Sequence, residues 1–176
     1  TAEDYEVVRI WIEQTQNINA THSLKAPWGD ISGRTLLYCL TSGTITPAAL
    51  DLIRLLIARG ADVNMRDSDG KSPLHNACRG TSPTLVSLLL DAGAADLNFK
   101  NRHGETPLAL AISQSNNKVE ISRILIRSGA SLDRITGGLS AEQYLDYSEN
   151  IRSNPFARNE HWRALKILVH GTRTRR

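Results

Sequence analysis

Four glycine-led words recur along the chain at nearly constant spacing, and this period constrains the fold more than any other feature. The words are GRTLLYCL, GKSPLHNA, GETPLALA and GLSAEQYL; their glycines, which are separated by 37, 34 and 34 residues, are Gly33, Gly70, Gly104 and Gly138. A second set follows downstream as LLIARGADVN, LLLDAGAADLN and ILIRSGASLD. A period of about 20–50 residues indicates a repeat array, in which each unit buries its apolar face against its neighbours.

The residues of each word predict a helix that begins at a fixed place. Ser72 and Thr106 are suitable N-caps, because a hydroxyl oxygen can accept hydrogen bonds from the first helical amides. Pro73 and Pro107 follow at the first helical position, where a missing N–H has little effect. The downstream set predicts a second helix in each repeat. We expect these second helices to end at glycines that can adopt a left-handed conformation, namely Gly60, Gly93 and Gly129.

Both halves of the pattern resemble the ankyrin repeat, whose period is about 33 residues and whose signature is T-P-L-H-x-A. The resemblance implies an α-solenoid, a stack of helix-turn-helix units with short β-hairpin fingers such as DSDGK and NRHGE. We predict a single ankyrin-repeat domain that is followed by a basic tail. Its parts are the second half of a repeat at 1–19, full repeats at 20–64, 65–98 and 99–133, a diverged capping repeat at 134–171, and the tail at 172–176.

The chain begins with Thr1 rather than Met, so we expect it to be a segment of a longer protein. In this family a histidine ties one repeat to the next by hydrogen bonding, and His75 occupies that place in the second repeat. Tyr38, Ala109 and Gln143 stand at the corresponding places of the other repeats. We therefore expect those three junctions to depend more on packing.

Gly70, Lys71 and Ser72 together spell the end of a phosphate-binding loop, but the pattern is incomplete. Such a loop requires a further glycine five positions before Gly70, and that residue is Met65. None of the five histidines forms an H-E-x-x-H pair, and no Cys-x-x-Cys or G-x-S-x-G motif occurs. We predict a non-catalytic chain without a cofactor or a metal.

The two cysteines, Cys39 and Cys78, lie in apolar helical patterns and are expected to be small buried thiols. They provide no disulfide framework, which favours a reducing compartment. No apolar run approaches the roughly 18 residues that a transmembrane helix needs. We expect an intracellular protein, cytoplasmic, nuclear or both, and we attribute the N-glycosylation pattern at Asn19 to chance.

Ankyrin proteins typically bind other proteins along the edge formed by the fingers and the exposed ends of the first helices. The resemblance therefore implies a partner-binding edge, and its candidate residues here are Trp28, Ile31, Arg34, Arg66, Asp69, Lys71, Arg79, Lys100, Arg102, His103, Glu105, Gln114 and Arg134. Seven of them are permanently basic and two are acidic, whereas the whole chain has a net charge of only +3. We predict a scaffold, adaptor or regulatory module, monomeric in isolation, that binds an acidic segment with Trp28 as an anchor at one end.

Two other functions use the same edge. The first is nucleic-acid binding, which is disfavoured because aromatic residues do not alternate with the basic ones as single-strand grooves require. The second is a histone reader that binds methyl-lysine in an aromatic cage. Trp28 is the single finger-region tryptophan, since Trp11 and Trp162 are expected to lie in the core of second helices.

Overall fold

The computed structural model describes residues 2–21, 25–26, 29–30, 34–43, 45–95, 97–114, 117–133, 135–150 and 160–173. The described residues form paired helices with short fingers between the pairs, as the repeat pattern predicts. The elements are α1 (Ala2–Gln14), β1 (Lys25–Ala26), β2 (Gly29–Asp30), α2 (Leu36–Thr41), α3 (Pro47–Ala58), α4 (Pro73–Arg79), α5 (Pro83–Asp91), α6 (Pro107–Gln114), α7 (Lys118–Arg127), α8 (Ala141–Asn150) and α9 (Glu160–Arg173).

The helices stack in two layers. The first helices of successive repeats pack on one another, α2 on α4 and α4 on α6, while the second helices α1 and α3, α5 and α7, and α7 and α9 form the other layer. Within a repeat the two helices also pack together, as in α4 with α5 and α6 with α7. β1 and β2, which precede α2 in the sequence, pair as two short antiparallel strands. This architecture confirms the predicted α-solenoid.

Helix boundaries follow from the capping residues. The Thr106 hydroxyl accepts a hydrogen bond from the Ala109 amide at 3.2 Å, and Thr35 does the same for Tyr38 at 3.2 Å. The second helices end where predicted, because the backbone after each turns into the left-handed region at a glycine. The φ angles there are 83°, 89° and 99° at Gly60, Gly93 and Gly129.

Apolar residues at equivalent repeat positions build one continuous core. Leu74 and Leu108 are both fully buried, and Ala77 and Ala111, three residues further along the same helices, are at most 1 % exposed. The small alanines allow neighbouring first helices to approach closely. The core positions of the second and third repeats are therefore confirmed.

Asparagines at the exits of the repeats tie each second-helix turn to the next. The Asn64 side chain accepts a hydrogen bond from the Ala95 amide at 2.9 Å and donates one to the Gly93 carbonyl at 3.2 Å. Asn98 and Asn19 likewise accept hydrogen bonds from amides of the following turn, those of Ser131 and Asp62, at 2.7 Å each. The Asn19 side chain is thus part of a repeat junction, and this structural role accounts for an asparagine at that position without glycosylation.

Two expectations about the ends of the stack differ from the structure. Trp11 is 37 % exposed on α1, so its placement in the core is wrong. Helix α9 continues to Arg173 and so crosses the expected boundary between the capping repeat and the basic tail. At the start of the stack, the Arg59 guanidinium donates hydrogen bonds to the Ile12 and Glu13 carbonyls and so caps the end of α1.

In the described part of the chain, no helix is both long enough and apolar enough to span a membrane.

Candidate partner-binding surface

A buried carboxylate organises the second finger, residues 66–71. The Asp67 side chain accepts hydrogen bonds from the amides of Asp69 and Lys71, each at 2.9 Å, while the Asp67 amide donates to the Lys71 carbonyl at 3.0 Å. Gly70 completes the turn with a φ of 72°, a conformation that side chains disfavour. The finger is therefore held by its own backbone and by Asp67, which leaves the side chains at its tip available for contact.

The third finger, residues 100–105, has the same construction with an amide in place of the carboxylate. The Asn101 side chain accepts hydrogen bonds from the amides of His103 and Glu105 at 2.9 and 3.1 Å. The two fingers are joined directly, because the Arg102 amide donates to the Asp69 carbonyl at 2.9 Å. This bond fixes the spacing of the two finger tips, so their charged side chains form one row.

Asp67 also joins the first repeat to the second. The Tyr38 hydroxyl donates to its carboxylate at 2.5 Å, and the Arg34 guanidinium lies 3.6 Å from the same oxygen and over the Tyr38 ring. Burial, reinforced by the Asp67 carboxylate, raises the pKa of the Tyr38 hydroxyl above its ordinary value of 10. The expectation that this junction depends on packing is therefore wrong: Tyr38 bridges the repeats by a hydrogen bond, through a hydroxyl that histidine lacks.

His75 joins the second repeat to the third, as the resemblance implies. Its Nδ1 accepts from the Ser72 amide at 3.2 Å, and its Nε2 lies 3.1 Å from the Phe99 carbonyl. Because Nδ1 accepts, a neutral ring carries its proton on Nε2 and donates it to that carbonyl. At the next junction, where Ala109 replaces the histidine, the Thr106 amide donates to the Ile135 carbonyl at 3.0 Å.

The structure brings seven of the predicted edge residues together on these two fingers, and we call this set the basic finger edge. The set comprises Arg66, Asp69, Lys71, Lys100, Arg102, His103 and Glu105. Lys71 pairs with Asp69 at 3.3 Å, and the Glu105 carboxylate accepts a hydrogen bond from the Asn101 side chain at 3.1 Å. The hydrogen bond from Lys71 lowers the pKa of Asp69, and the charges of His103 and Arg102 add to this effect. Both acidic members are thus engaged by neighbours, while Lys100, Arg102 and His103 are exposed.

An aromatic residue that sequence reasoning missed belongs to the same surface. The Arg66 guanidinium lies 3.3 Å from the centroid of the Phe99 ring, which is itself 38 % exposed. A cation over an aromatic face is held by the ring quadrupole, which fixes the position of the Arg66 charge. Phe99 stands directly before the third finger in DLNFKNRHG, and an aromatic residue at that place is the signal that could have revealed it.

The other predicted site residues are not part of the two fingers. Arg34 lies at the Tyr38–Asp67 junction, and Arg79 lies at the far end of α4. Gln114 is the last residue of α6, and its side chain lies outside the described residues. Trp28, Ile31 and Arg134 lie wholly outside the described residues.

Arg79 borders a separate cavity of about 310 Å³ between the ends of two first helices. The end of α2 and its following turn contribute one wall, and the end of α4 contributes the other. The lining residues are Thr41, Ser42, Gly43, Asn76, Arg79 and Gly80. Polar groups and a cation therefore surround this space.

Thiol and metal chemistry receive little support from the described residues. Cys78 is buried, as expected, and burial raises the pKa of its thiol, which keeps it protonated and unreactive. Cys39 is exposed, so the expectation of a buried thiol there is wrong. No group of three or more His, Cys, Asp or Glu side chains that could hold a metal occurs among the residues that the structure describes.

Comparison with known proteins agrees with this architecture. A family model described as ankyrin repeats (3 copies) matches residues 45–136. Over 68 residues the chain is 41 % identical to an ankyrin repeat protein of Acanthamoeba polyphaga mimivirus, which covers 39 % of this chain and 9 % of that protein. It is also 36 % identical over 90 residues to ankyrin repeat protein 14 of vaccinia virus (strain Western Reserve), which covers 51 % of this chain and 37 % of that protein.

A third relative is human transient receptor potential cation channel subfamily A member 1, which is 29 % identical over 101 residues. That match covers 57 % of this chain and 8 % of the channel. The chain thus spans less than two fifths of each of these three relatives. Ankyrin repeats are protein–protein interaction modules and are generally non-catalytic. The repeat words, the stacked helix pairs and the match over residues 45–136 establish that this chain belongs to the ankyrin repeat family.

Proposed function

We propose that this chain is a non-catalytic scaffold, adaptor or regulatory module that binds an acidic segment of another protein along the basic finger edge. One observation carries the proposal: both acidic members of the edge are paired with a neighbour in the fingers, whereas three of its cations, Arg66, Lys100 and Arg102, are exposed. Asp69 is paired with Lys71, and Glu105 accepts a hydrogen bond from Asn101. Lys100 and Arg102 on the adjacent finger are exposed. An approaching polypeptide therefore meets a positive field.

The two fingers also have the rigidity that recognition requires. The Arg102 amide is bonded to the Asp69 carbonyl, and Arg66 is held against Phe99. Charges fixed in place lose little conformational entropy when a partner binds, so more of the interaction energy appears as affinity. Positive charges along an edge also speed the association of an acidic partner, an effect that salt screens over about 10 Å at 0.1 M.

A charge-reversal experiment with a matched control tests the proposal. The finger variant carries Arg66→Glu, Lys71→Glu and Arg102→Glu. The control variant carries Arg9→Glu, Arg54→Glu and Arg123→Glu, three second-helix arginines whose side chains are 58 %, 54 % and 41 % exposed and each pair locally with a carboxylate. Both variants change the net charge equally, so a difference between them reports position and not total charge.

The readout is the affinity of each protein for a labelled poly-glutamate peptide and for any partner captured by the unmodified protein. We expect the finger variant to lose at least about tenfold in affinity and the control to lose far less. Equal losses in the two variants would contradict a localised edge. Tighter binding of a single-stranded oligonucleotide than of the peptide, with a steep salt dependence, would instead favour the nucleic-acid alternative.

The methyl-lysine alternative has less support, because an aromatic cage requires open ring faces. The Phe99 ring already has the Arg66 guanidinium over it. We further propose that the module acts inside the cell, in the cytoplasm or the nucleus, and is monomeric in isolation. Sizing by light scattering, and fractionation of cells that express the parent protein, test these two proposals.

A further inference from the structure

Helix α1 has an exposed apolar face at the start of the stack. Val7, Ile10 and Trp11 are 67 %, 45 % and 37 % exposed, and their spacing of three and four residues places them on one side of the helix. A different side of α1 faces the stack, because α1 packs on α3 and Ile12 is fully buried. The Tyr5 hydroxyl lies 3.1 Å from the Thr46 hydroxyl on that side. The exposed face is therefore a second apolar surface of the same helix.

The exit asparagines align α1 with the second helices of the following repeats. Asn19 corresponds to Asn64, because each accepts a hydrogen bond from an amide of the next exit turn. Counting back from them aligns VVRIWI of α1 with LIRLLI of α3. The closing glycines of α3, α5 and α7 align LIRLLI in turn with LVSLLL and ISRILI. Val7 and Trp11 hold the first and fifth places of this word.

The first and fifth places are buried in all three of the following repeats. None of their residues is more than 5 % exposed, and all belong to the continuous core: Leu52, Leu56, Leu85, Leu89, Ile121 and Leu125. Each of these second helices packs on the first helix of its own repeat, α3 on α2, α5 on α4 and α7 on α6. Because α1 begins at Ala2, a first helix for its unit would lie before residue 1. Val7 and Trp11 are thus exposed at places that are buried wherever the repeat is complete.

The opposite end of the stack has a different surface. The described residues exposed on α8 and α9 include four polar or charged side chains, those of Gln143, Asp146, Arg163 and His170. Ile167 is also exposed, but it lies about one turn from both Arg163 and His170 and so forms no apolar stripe. A polar outer face is what a terminal repeat needs in water. The face of α1 lacks this property, which indicates an internal position in a longer stack.

We infer that the face formed by Val7, Ile10 and Trp11 is an internal interface, and that its occupant is an ankyrin helix pair from the same polypeptide before residue 1. The first helix of the α1 unit covers Val7 and Trp11. The second helix of the preceding repeat lies beside Ile10, just as Leu55, the equivalent of Ile10, lines the groove between α1 and α3. This interface continues the second-helix layer that α1 and α3 already form.

Thiol labelling tests the inference in a Cys39→Ala background, which removes the exposed native thiol and keeps the buried Cys78. Val7→Cys is made in residues 1–176 and in a chain extended upstream by about 70 native residues, two repeat periods. We expect a maleimide to label position 7 at least about tenfold more slowly in the extended chain, because labelling there requires local opening. Ile10→Cys provides a second site. Ile167→Cys, at a position 73 % exposed on α9, is the control and should react equally fast in both proteins.

The outcomes are distinct from those of the charge-reversal experiment. Slower labelling of both α1 positions, with unchanged labelling of Ile167→Cys, supports an upstream helix pair on this face. Equal rates in the two proteins, or a native polypeptide without a helix pair upstream, would overturn the inference. Protection of position 7 in residues 1–176 that rises with protein concentration would place a second copy on the face and would also overturn it. None of these results changes the test of the basic finger edge.

Discussion

The Tyr38 hydroxyl donates a 2.5 Å hydrogen bond to the Asp67 carboxylate of the following repeat, and this carboxylate also organises the second finger. A single buried carboxylate therefore joins two repeats and shapes part of the proposed binding edge. Because Tyr38 is 4 % exposed and the Asp67 side chain is fully buried, loss of the bond cannot be compensated easily by water.

Tyr38→Phe removes that bond and leaves the ring in place. We expect the free energy of unfolding to fall by about 1.5–3 kcal/mol, the usual range for a hydrogen bond to a charged group. Urea unfolding measures the change. Tyr147→Phe is the control, because Tyr147 is 60 % exposed and its hydroxyl group should matter little. A loss below about 0.5 kcal/mol in Tyr38→Phe, which is typical of surface changes, would contradict the junction role.

The raised pKa of Tyr38 predicts how stability responds to alkali. The unfolded chain releases the tyrosine proton near pH 10, whereas the folded protein retains it to a higher pH because of burial and the Asp67 carboxylate. The contribution is thus fully present below pH 10 and is lost as the pH rises above that value. We expect the unmodified protein to lose stability above pH 10 more steeply than Tyr38→Phe does. Parallel pH profiles of the two proteins would contradict this account.

His75→Ala should weaken the next junction. The substitution leaves the Ser72 amide and the Phe99 carbonyl without their partner and empties a fully buried site. We expect a loss of about 2–4 kcal/mol, from unsatisfied polar groups and the cavity together. His103→Ala, on an exposed finger position, should change stability by less than about 0.5 kcal/mol. Thermal and chemical unfolding of the two variants should therefore differ clearly, and similar values would argue against the His75 bridge.

Core and edge positions should separate stability from binding. Leu108→Ala leaves a cavity at a fully buried site and should cost about 2–5 kcal/mol. Arg102→Ala should change stability by less than about 0.5 kcal/mol while it weakens binding of the acidic peptide. Calorimetry on both variants, with peptide titration of Arg102→Ala, measures the two effects. An Arg102→Ala protein that is strongly destabilised would show that this residue supports the fold.

The sequence predicted the stack because its strongest signals are periodic. Leu74 and Leu108 recur at the same distance from their glycines, and burial of both follows from that register. Partnerships between repeats are not periodic. Tyr38 stands in the first repeat at the place that His75 holds in the second. Its hydrogen bond to Asp67 depends on the length of the tyrosine side chain, which the spacing of the repeats does not determine.

The candidate edge was likewise predicted only in part. Turn chemistry placed Lys71 and Arg102 on fingers, but the packing of Arg66 on Phe99 depends on the distance between two turns. Cys39 was expected in the core because its neighbours are apolar, yet the equivalent positions in later repeats, Asn76 and Leu110, are buried while Cys39 is exposed. Equivalent positions in successive repeats therefore differ in burial, and the apolar neighbours of Cys39 did not predict its exposure.

The most direct measurement of the central claim is backbone amide NMR during titration with the poly-glutamate peptide. The account predicts that the largest shifts fall on the two fingers, residues 66–71 and 100–105, because the peptide binds beside their amides. Amides of the second helices, such as 118–127 in α7, should stay nearly unchanged. Largest shifts on the second helices, with the fingers unaffected, would contradict the claim that the basic finger edge is the binding surface.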